Sequence, residues 1–219
     1  MTSEADFLAA VTGGDVSRVR ALVEESPSLA AARNESGASA PLLALYHRQR
    51  ETADFLLARK EAIAPLDVFE AAAFGRTARL VAILDEEPAL VDAYATDGFF
   101  PLGLAAFYGH EEAVRLLLAR GANPNLAARN AMKVAAIHAA SAAGSFPIAR
   151  ALIEAGADVN AVQQAGFTPL HAAAMTGQTE LAKLLLDRGA DPSAKADDGR
   201  TALAMARDAK QQAVIDLLS

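Results

Sequence analysis

Four histidines and four pairs of adjacent acidic residues are the side chains of this sequence that could do chemistry. A metal site would need ligands at the spacing of a motif such as H-E-x-x-H, which is absent from the sequence. Catalysis by two carboxylates would need both in one pocket, but adjacent helical residues point about 100° apart. We therefore predict solvated surface or scaffold, with no metal and no cofactor. The residues are His47, His110, His138, His171, Glu24-Glu25, Glu86-Glu87, Glu111-Glu112 and Asp197-Asp198.

The composition argues against further classes of activity. The sequence lacks a G-x-S-x-G nucleophile elbow and a glycine-rich phosphate loop, and it contains no cysteine for a disulfide or a thiolate site. Its net charge is −7 and its longest basic run is Arg59-Lys60, so we expect no nucleic-acid partner. No signal-peptide pattern and no run of ~20 apolar residues is visible. We predict a cytoplasmic protein that is not an enzyme and does not contact a membrane.

One phrase of sequence returns along the chain. Residues 168–171 read Thr-Pro-Leu-His, followed by Ala173-Ala174, Gly177 and Leu184-Leu185-Leu186, and a diluted copy begins at Pro101. The glycine of this phrase, or its replacement, recurs at Gly14, Gln49, Gly75, Gly109, Gly144, Gly177 and Lys210. The separations are 35, 26, 34, 35, 33 and 33 residues. A recurring period of this length is typical of a solenoid.

On this motif and period, the chain resembles the ankyrin-repeat family over nearly its full length. The resemblance is strongest from Asp97 to Asp191 and weakest around Gln49, where Ala40-Pro41-Leu42-Leu43 stands for Thr-Pro-Leu-His. It implies an all-α fold, an ankyrin-repeat solenoid of about seven helix–turn–helix units with β-hairpin fingers, in a single domain over residues 1–219. The approximate units are 1–36, 37–62, 63–93, 94–125, 126–161, 162–194 and 195–219, of which the first and last are caps.

Individual motif residues have physical roles in such a repeat. Thr168 can cap a helix that begins at Pro169, and Gly177 can end it with a positive φ. The resemblance implies that His171 hydrogen-bonds between neighbouring repeats. We expect the amino-terminal cap to bury Phe7, Leu8, Val19 and Leu22, and the carboxy-terminal cap to run through Val214, Ile215, Leu217 and Leu218.

The amino-terminal half contains a second regularity. An offset of 61 residues pairs Gly14 with Gly75, Pro27 with Pro88, and Gly37 with Gly98, which indicates a duplicated block of two repeats. In both copies a proline replaces the usual Gly-Ala-Asp at the end of the second helix, since proline also stops a helix.

Two stretches depart from the period in length. About seven residues are missing between Gln49 and Gly75, so residues 60–65 are too few for a full finger. Two extra residues fall within 126–133, so we expect a longer finger there with Arg129 and Lys133 at its tip. Insertions in repeat proteins map to loops on one face, which is often the binding face.

The resemblance also implies where a partner would bind: at the finger residues and at the two residues before the glycine that ends each first helix. Six of the twelve aromatic residues fall on these positions. The predicted partner-binding residues are Phe74, Tyr94, Asp97, Phe99, Phe107, Tyr108, Arg129, Lys133 and Phe167. The competing interpretation is that some of these rings pack back on the scaffold, as we expect of Phe100.

We predict from these features a monomeric, non-catalytic scaffold for protein–protein recognition, whose partner is another protein. One alternative is a structural or regulatory subunit that covers a partner enzyme or self-associates. Another is that Asn160, in the sequence Asp158-Val159-Asn160, is a substrate, because it resembles the site that an asparaginyl hydroxylase modifies in some ankyrin repeats.

Overall fold

The computed structural model describes residues 3–219, which form fourteen α-helices and no sheet, so the predicted all-α class is confirmed. Short 3-10 helices span Pro27–Ala31, Pro88–Asp92 and Gln164–Gly166. The α-helices are α1 (Glu4–Gly13), α2 (Val16–Glu25), α3 (Ala40–Tyr46), α4 (Arg50–Glu61), α5 (Val68–Ala73), α6 (Thr77–Glu86), α7 (Pro101–Phe107), α8 (Glu111–Ala119), α9 (Ala136–Ala143), α10 (Phe146–Glu154), α11 (Pro169–Thr176), α12 (Thr179–Asp187), α13 (Ala202–Asp208) and α14 (Gln212–Leu218). None of these helices is long and apolar enough to cross a bilayer, and the longest, α4, has 12 residues.

The helices belong to two compact units. The first unit holds the chain up to Ala71 together with Ala95–Asp97, and it contains α1 to α4. Helix α1 begins at a capping box, in which the Ser3 hydroxyl accepts the Asp6 N–H at 3.1 Å. Helix α1 packs on α2 and α3, and α3 packs on α4. Of the predicted cap residues, Phe7 and Val19 are fully buried, whereas Leu8 and Leu22 are half-buried.

The second unit holds Ala72–Tyr94 and Gly98–Ser219. Its first helices α7, α9, α11 and α13 pack in that order, and the second helices α6, α8, α10, α12 and α14 form a parallel series. The Ala-Ala pairs of the motif lie fully or almost fully buried in α7, α9 and α11, where a small side chain permits close helix packing. In the last pair, Val214 is buried, but Ile215, Leu217 and Leu218 are only half-buried.

The first helix of a repeat ends at a residue with positive φ. These residues are Gly14, Arg48, Gly75, Gly109, Gly144, Gly177 and Lys210. The expected position in the second repeat, Gln49, is therefore wrong by one residue, because Arg48 takes the left-handed conformation with φ 60°. The same shift applies to the start of α3, where Ser39 occupies the N-cap position that Thr168 occupies in α11. Pro41 is thus the counterpart of Leu170 and not of Pro169.

The duplication inferred from the sequence has an equivalent in the helices. Shifting α2, the 3-10 helix Pro27–Ala31 and α3 by 61 residues gives the bounds of α6, Pro88–Asp92 and α7. Each proline begins its 3-10 helix directly after a second helix has ended, as expected of a residue that cannot continue an α-helix.

The fingers are represented by isolated β-bridges, not by strands, in the part of the chain that the structure describes. The bridges are Arg33–Ser39, Ala127–Ala135 and Lys195–Thr201. The first and third enclose five residues and the second encloses seven, which agrees with the predicted two-residue insertion. Residues 62–67, which join α4 to α5, contain no bridge.

Candidate binding surface

The motif histidines link successive repeats. The Nδ1 atom of His171 accepts the Thr168 N–H at 3.1 Å, so the proton lies on Nε2, which donates to the Arg200 carbonyl at 3.2 Å. His138 makes the same pair of bonds, from the Ala135 N–H at 3.2 Å and to the Ala161 carbonyl at 2.9 Å. Burial lowers the pKa of both imidazoles, which favours the neutral form. The predicted role of His171 between repeats is confirmed.

The residue after each positive-φ position makes a second kind of link, which the sequence analysis did not identify. Nε2 of His110 donates to the Ala73 carbonyl at 2.9 Å, and Nε2 of Gln178 donates to the Ser141 carbonyl at 2.6 Å. Gln49 reaches Thr12 in the same way, at 3.2 Å. These side chains point back to the preceding first helix. They hold the scaffold together and leave no histidine of the motif for chemistry.

Asparagine amides tie the turns that follow the second helices. Asn160 Nδ2 donates to the Gly189 carbonyl at 2.9 Å, and its Oδ1 accepts the Asp191 N–H at 2.8 Å. Asn125 bonds in the same way to Gly156 at 3.0 Å and Asp158 at 2.7 Å. The candidate for hydroxylation therefore has a structural role in joining two successive turns.

The paired carboxylates lie on the surface. Glu24, Glu25, Glu86 and Glu87 are exposed. Glu111 pairs with Arg115 four residues later at 2.9 Å, and Asp198 pairs with Arg200 at 2.7 Å. No group of three or more histidine, aspartate or glutamate side chains within residues 3–219 is arranged to hold a metal ion.

Exposed apolar side chains mark a different part of the molecule. The large exposed residues are Ile63, Phe107, Met132, Val162 and Met175. Phe107 ends α7 and Met175 lies in the last turn of α11, while Met132 and Val162 lie in two successive fingers. A backbone hydrogen bond of 3.0 Å from Gln164 N to the Met132 carbonyl joins these two fingers.

A comparison with protein families identifies the architecture. The model for ankyrin repeats, in three copies, matches residues 68–163 and 137–219. The chain belongs to the ankyrin-repeat family. Ankyrin repeats are generally modules for protein–protein interaction and are typically non-catalytic. No curated protein matches the chain.

In this ankyrin-repeat chain, Phe107 is the most exposed of the predicted aromatic residues, at 58%. Its ring packs edge-on against the half-buried ring of Tyr108, with the centroids 5.0 Å apart. Arg129 and Lys133 are also exposed. These positions combine an apolar ring with cations on accessible parts of two repeats.

Other predicted residues are partly or wholly covered. Phe74 is only 4% exposed, so its expected exposure is wrong: α5 ends at Ala73, and the Phe74 ring in the following turn is withdrawn from water, which stabilises the fold by about 2 kcal/mol. Phe99 and Phe167 are half-buried, and the Phe167 ring lies 5.5 Å from that of His171. Phe100, at 1% exposed, is core as expected.

Tyr94 and Asp97 each have bonds that a scaffold would use. The Tyr94 hydroxyl donates to the Ala127 carbonyl at 3.0 Å, and its ring lies 5.9 Å from that of Phe100. Asp97 accepts a hydrogen bond from the Tyr46 hydroxyl at 2.9 Å. Met132, by contrast, was not predicted as a contact residue, although its place between Arg129 and Lys133 in the long finger was a usable signal.

Proposed function

We propose that this chain is a non-catalytic scaffold for protein recognition, built from about seven ankyrin-type units and active as a cytoplasmic monomer. The partner would bind across the ends of the first helices and the fingers. The observation that carries the proposal is the exposed ring of Phe107 at the end of α7.

The exposed residues occupy positions that the repeat does not need for its own packing. Between Phe107 in α7 and Met175 in α11, helix α9 ends with the exposed, small residues Ala142 and Ala143. The series therefore alternates large, small and large side chains on first helices that pack in order. A depression between two apolar residues would accept an apolar side chain of a partner, and such anchors dominate interface energies.

Rigidity adds to this argument. The edge-on contact with Tyr108 limits the motion of the Phe107 ring, so little conformational freedom would be lost on binding. The neighbouring fingers are joined by backbone hydrogen bonds at 2.9 Å from Arg129 N to Gly98 O, and at 2.9 Å from Asp197 N to Ala165 O. A preformed surface of this kind supports binding without refolding.

The variant Phe107→Ala tests the proposal, with Ile63→Ala as its matched control. Ile63 is an apolar residue of similar exposure, at 48%, but it lies in the connection between α4 and α5. Immobilised wild type and both variants are incubated with extract of the native cells, and retained proteins are quantified by mass spectrometry. We expect proteins retained by wild type and Ile63→Ala to be lost from Phe107→Ala.

Stability measurements make the result interpretable. Both side chains are largely in water, so each variant should unfold within about 0.5 kcal/mol of wild type. Equal retention by Phe107→Ala and wild type would contradict the proposed surface. A large loss of stability in Phe107→Ala would show that the ring is core.

The alternative is a subunit that permanently covers an enzyme or self-associates. The same exposed apolar residues could be covered by a second copy of the chain, since surfaces of this kind are rarely left in water. Light scattering over a range of concentrations separates the two cases. A concentration-dependent dimer that Phe107→Ala abolishes would favour the alternative, whereas a constant monomer mass favours recognition of another protein.

A further inference from the structure

We infer that the segment of the partner which binds here is acidic, with carboxylates next to its apolar side chains. The cations that would bind them belong to the long finger, defined as residues 127–135. The inference rests on the proposed function and names the chemistry of the partner for that surface.

The two basic residues of the long finger have no acidic partner in the protein. Arg129 and Lys133 are exposed, and neither forms an ion pair with a carboxylate in the described chain, residues 3–219. Arginines on nearby helices, such as Arg115 and Arg150, pair with a glutamate four residues away at 2.9 and 2.7 Å. In a chain of net charge −7, these two cations therefore remain available to a ligand.

Lys133 occupies a backbone position that favours glycine. Its φ is 49°, and the matching residues of the neighbouring fingers are Gly98 and Gly166, with φ of 83° and 73°. A left-handed conformation costs a non-glycine residue about 1–2 kcal/mol. A lysine at a strained position indicates that its side chain has a use that outweighs the strain, and no hydrogen bond of that side chain provides one within residues 3–219.

The neighbouring glycines have a reason that does not apply to a free side chain. A Cβ atom on Gly98 would lie 2.7 Å from the backbone of Arg129, and one on Gly166 would lie 2.7 Å from Asp197 Oδ1. Those fingers need glycine to let the following finger approach. The long finger instead carries an extended cationic side chain at the same position.

Arg129 is held in place before any ligand arrives. Its guanidinium carbon lies 3.8 Å from the centroid of the Tyr94 ring, and its backbone N–H donates to the Gly98 carbonyl at 2.9 Å. Tyr94 is itself fixed by the bond from its hydroxyl to Ala127 at 3.0 Å. The planar guanidinium still presents N–H donors to solvent, in the geometry that binds a carboxylate through two oxygens.

Apolar residues lie beside these cations. Met132, at 43% exposed, immediately precedes Lys133, and the bond from Gln164 N to the Met132 carbonyl places the finger of Val162 alongside. The two fingers thus present exposed apolar side chains between and beside two cations. A protein segment that alternates Asp or Glu with Leu, Met or aromatic residues matches this pattern, because its carboxylates meet Arg129 and Lys133 while its apolar side chains leave water.

Selection from a display library of random twelve-residue peptides tests the inference. The full chain is used as wild type, as Arg129→Gln/Lys133→Gln, and as the control Lys183→Gln/Arg188→Gln, which removes two exposed cations at α12. Peptides selected on wild type and on the control should be rich in Asp and Glu beside apolar residues. A synthetic peptide from that pool should bind the finger variant about tenfold more weakly, and the difference should shrink at high salt.

The outcomes separate the inference from the function on which it rests. A peptide pool that depends on Phe107 but shows no preference for acidic residues overturns the inference and leaves recognition standing. Acidic peptides that bind wild type and the finger variant equally also overturn it. A wild-type surface that selects no peptide above an unrelated protein contradicts both.

Discussion

Two stretches of this chain depart from the repeat length, and they use charge in opposite ways. Residues 62–67, between α4 and α5, are too few to form a bridged finger, and the long finger 127–135 has two residues more than the other bridged fingers. Next to the short connection, charges are buried. On the long finger, charges of one sign face the solvent.

The short connection is closed by a buried ion pair. Lys60 at the end of α4 donates to Glu70 of α5 at 2.5 Å, and their side chains are 3% and 0% exposed. Glu70 also accepts the Asp67 N–H at 2.9 Å, and Arg33 Nη2 lies 3.7 Å from its second oxygen. These contacts join the two helices where a finger would otherwise provide backbone hydrogen bonds.

The comparison teaches that a change in repeat length alters where charges can go. Removing residues brings the ends of two helices together, and a lysine and a glutamate pair between them. Adding residues lengthens a loop, so that Arg129 and Lys133 remain accessible. Stability depends on the first arrangement, and the proposed recognition depends on the second.

The largest effect should come from breaking the buried pair. Lys60→Met leaves the Glu70 carboxylate buried without its cation, so we expect a loss of about 3–5 kcal/mol in the free energy of unfolding, measured with urea. The double variant Lys60→Met/Glu70→Gln should recover much of this loss, because no charge then stays buried and the amide oxygen of the introduced glutamine can still accept the Asp67 N–H.

Lys183→Met is the control for that experiment. Lys183 is exposed on α12 and has no ion pair within residues 3–219, so its replacement should change stability by less than about 0.5 kcal/mol. If Lys60→Met proved as stable as Lys183→Met, the ion pair would not be what closes the short connection.

The regular repeats give an intermediate effect that depends on pH. His171→Leu leaves the Thr168 N–H and the Arg200 carbonyl without their partner, which should cost about 2 kcal/mol near neutral pH. The pKa of His171 is lowered by burial in the folded state, so the unfolded state binds more protons once the pH falls below its own pKa of about 6.5.

Wild type therefore loses stability through this residue as the pH falls below that value, and the leucine variant does not. Urea unfolding at about pH 7 and about pH 5 should show the gap between the two proteins narrowing on acidification. His47→Leu, at an exposed histidine, should show no comparable change. A gap that widens in acid would contradict the lowered pKa.

The smallest effect concerns the long finger. Lys133→Gly relieves the strain of a positive φ and should raise the free energy of unfolding by about 0.5–1 kcal/mol. Lys133→Gln removes the same charge but keeps the strain, so its stability should equal that of wild type. Equal stability of the glycine and glutamine variants would mean that the lysine has no backbone reason to be replaced.

Much of the fold could be predicted because the motif has local causes. A proline or small residue after an N-cap, a pair of alanines and a glycine at the end define each first helix wherever they occur together. The error at Gln49 arose where the motif is weakest. The offset of 61 residues, which pairs Arg48 with Gly109, carried the correct position.

The candidate site was less predictable because exposure depends on tertiary packing. Phe74 and Phe107 lie near the end of a first helix, yet one ring is 4% exposed and the other 58%. The buried pair of Lys60 and Glu70 also has no periodic signal, since it exists only because the intervening residues are too few for a finger. Neither difference is encoded in the local pattern.

The side-chain links between repeats have a direction, and this has a consequence for how the chain frays. His138, His171 and Asn160 reach forward to the following repeat, while His110 and Gln178 reach back to the preceding one. An internal repeat is therefore restrained by both neighbours, and the pair α13–α14 has no following neighbour in this sequence. Amide protons of α14 should exchange with solvent sooner than those of α12, so loss of order would travel inward from that end.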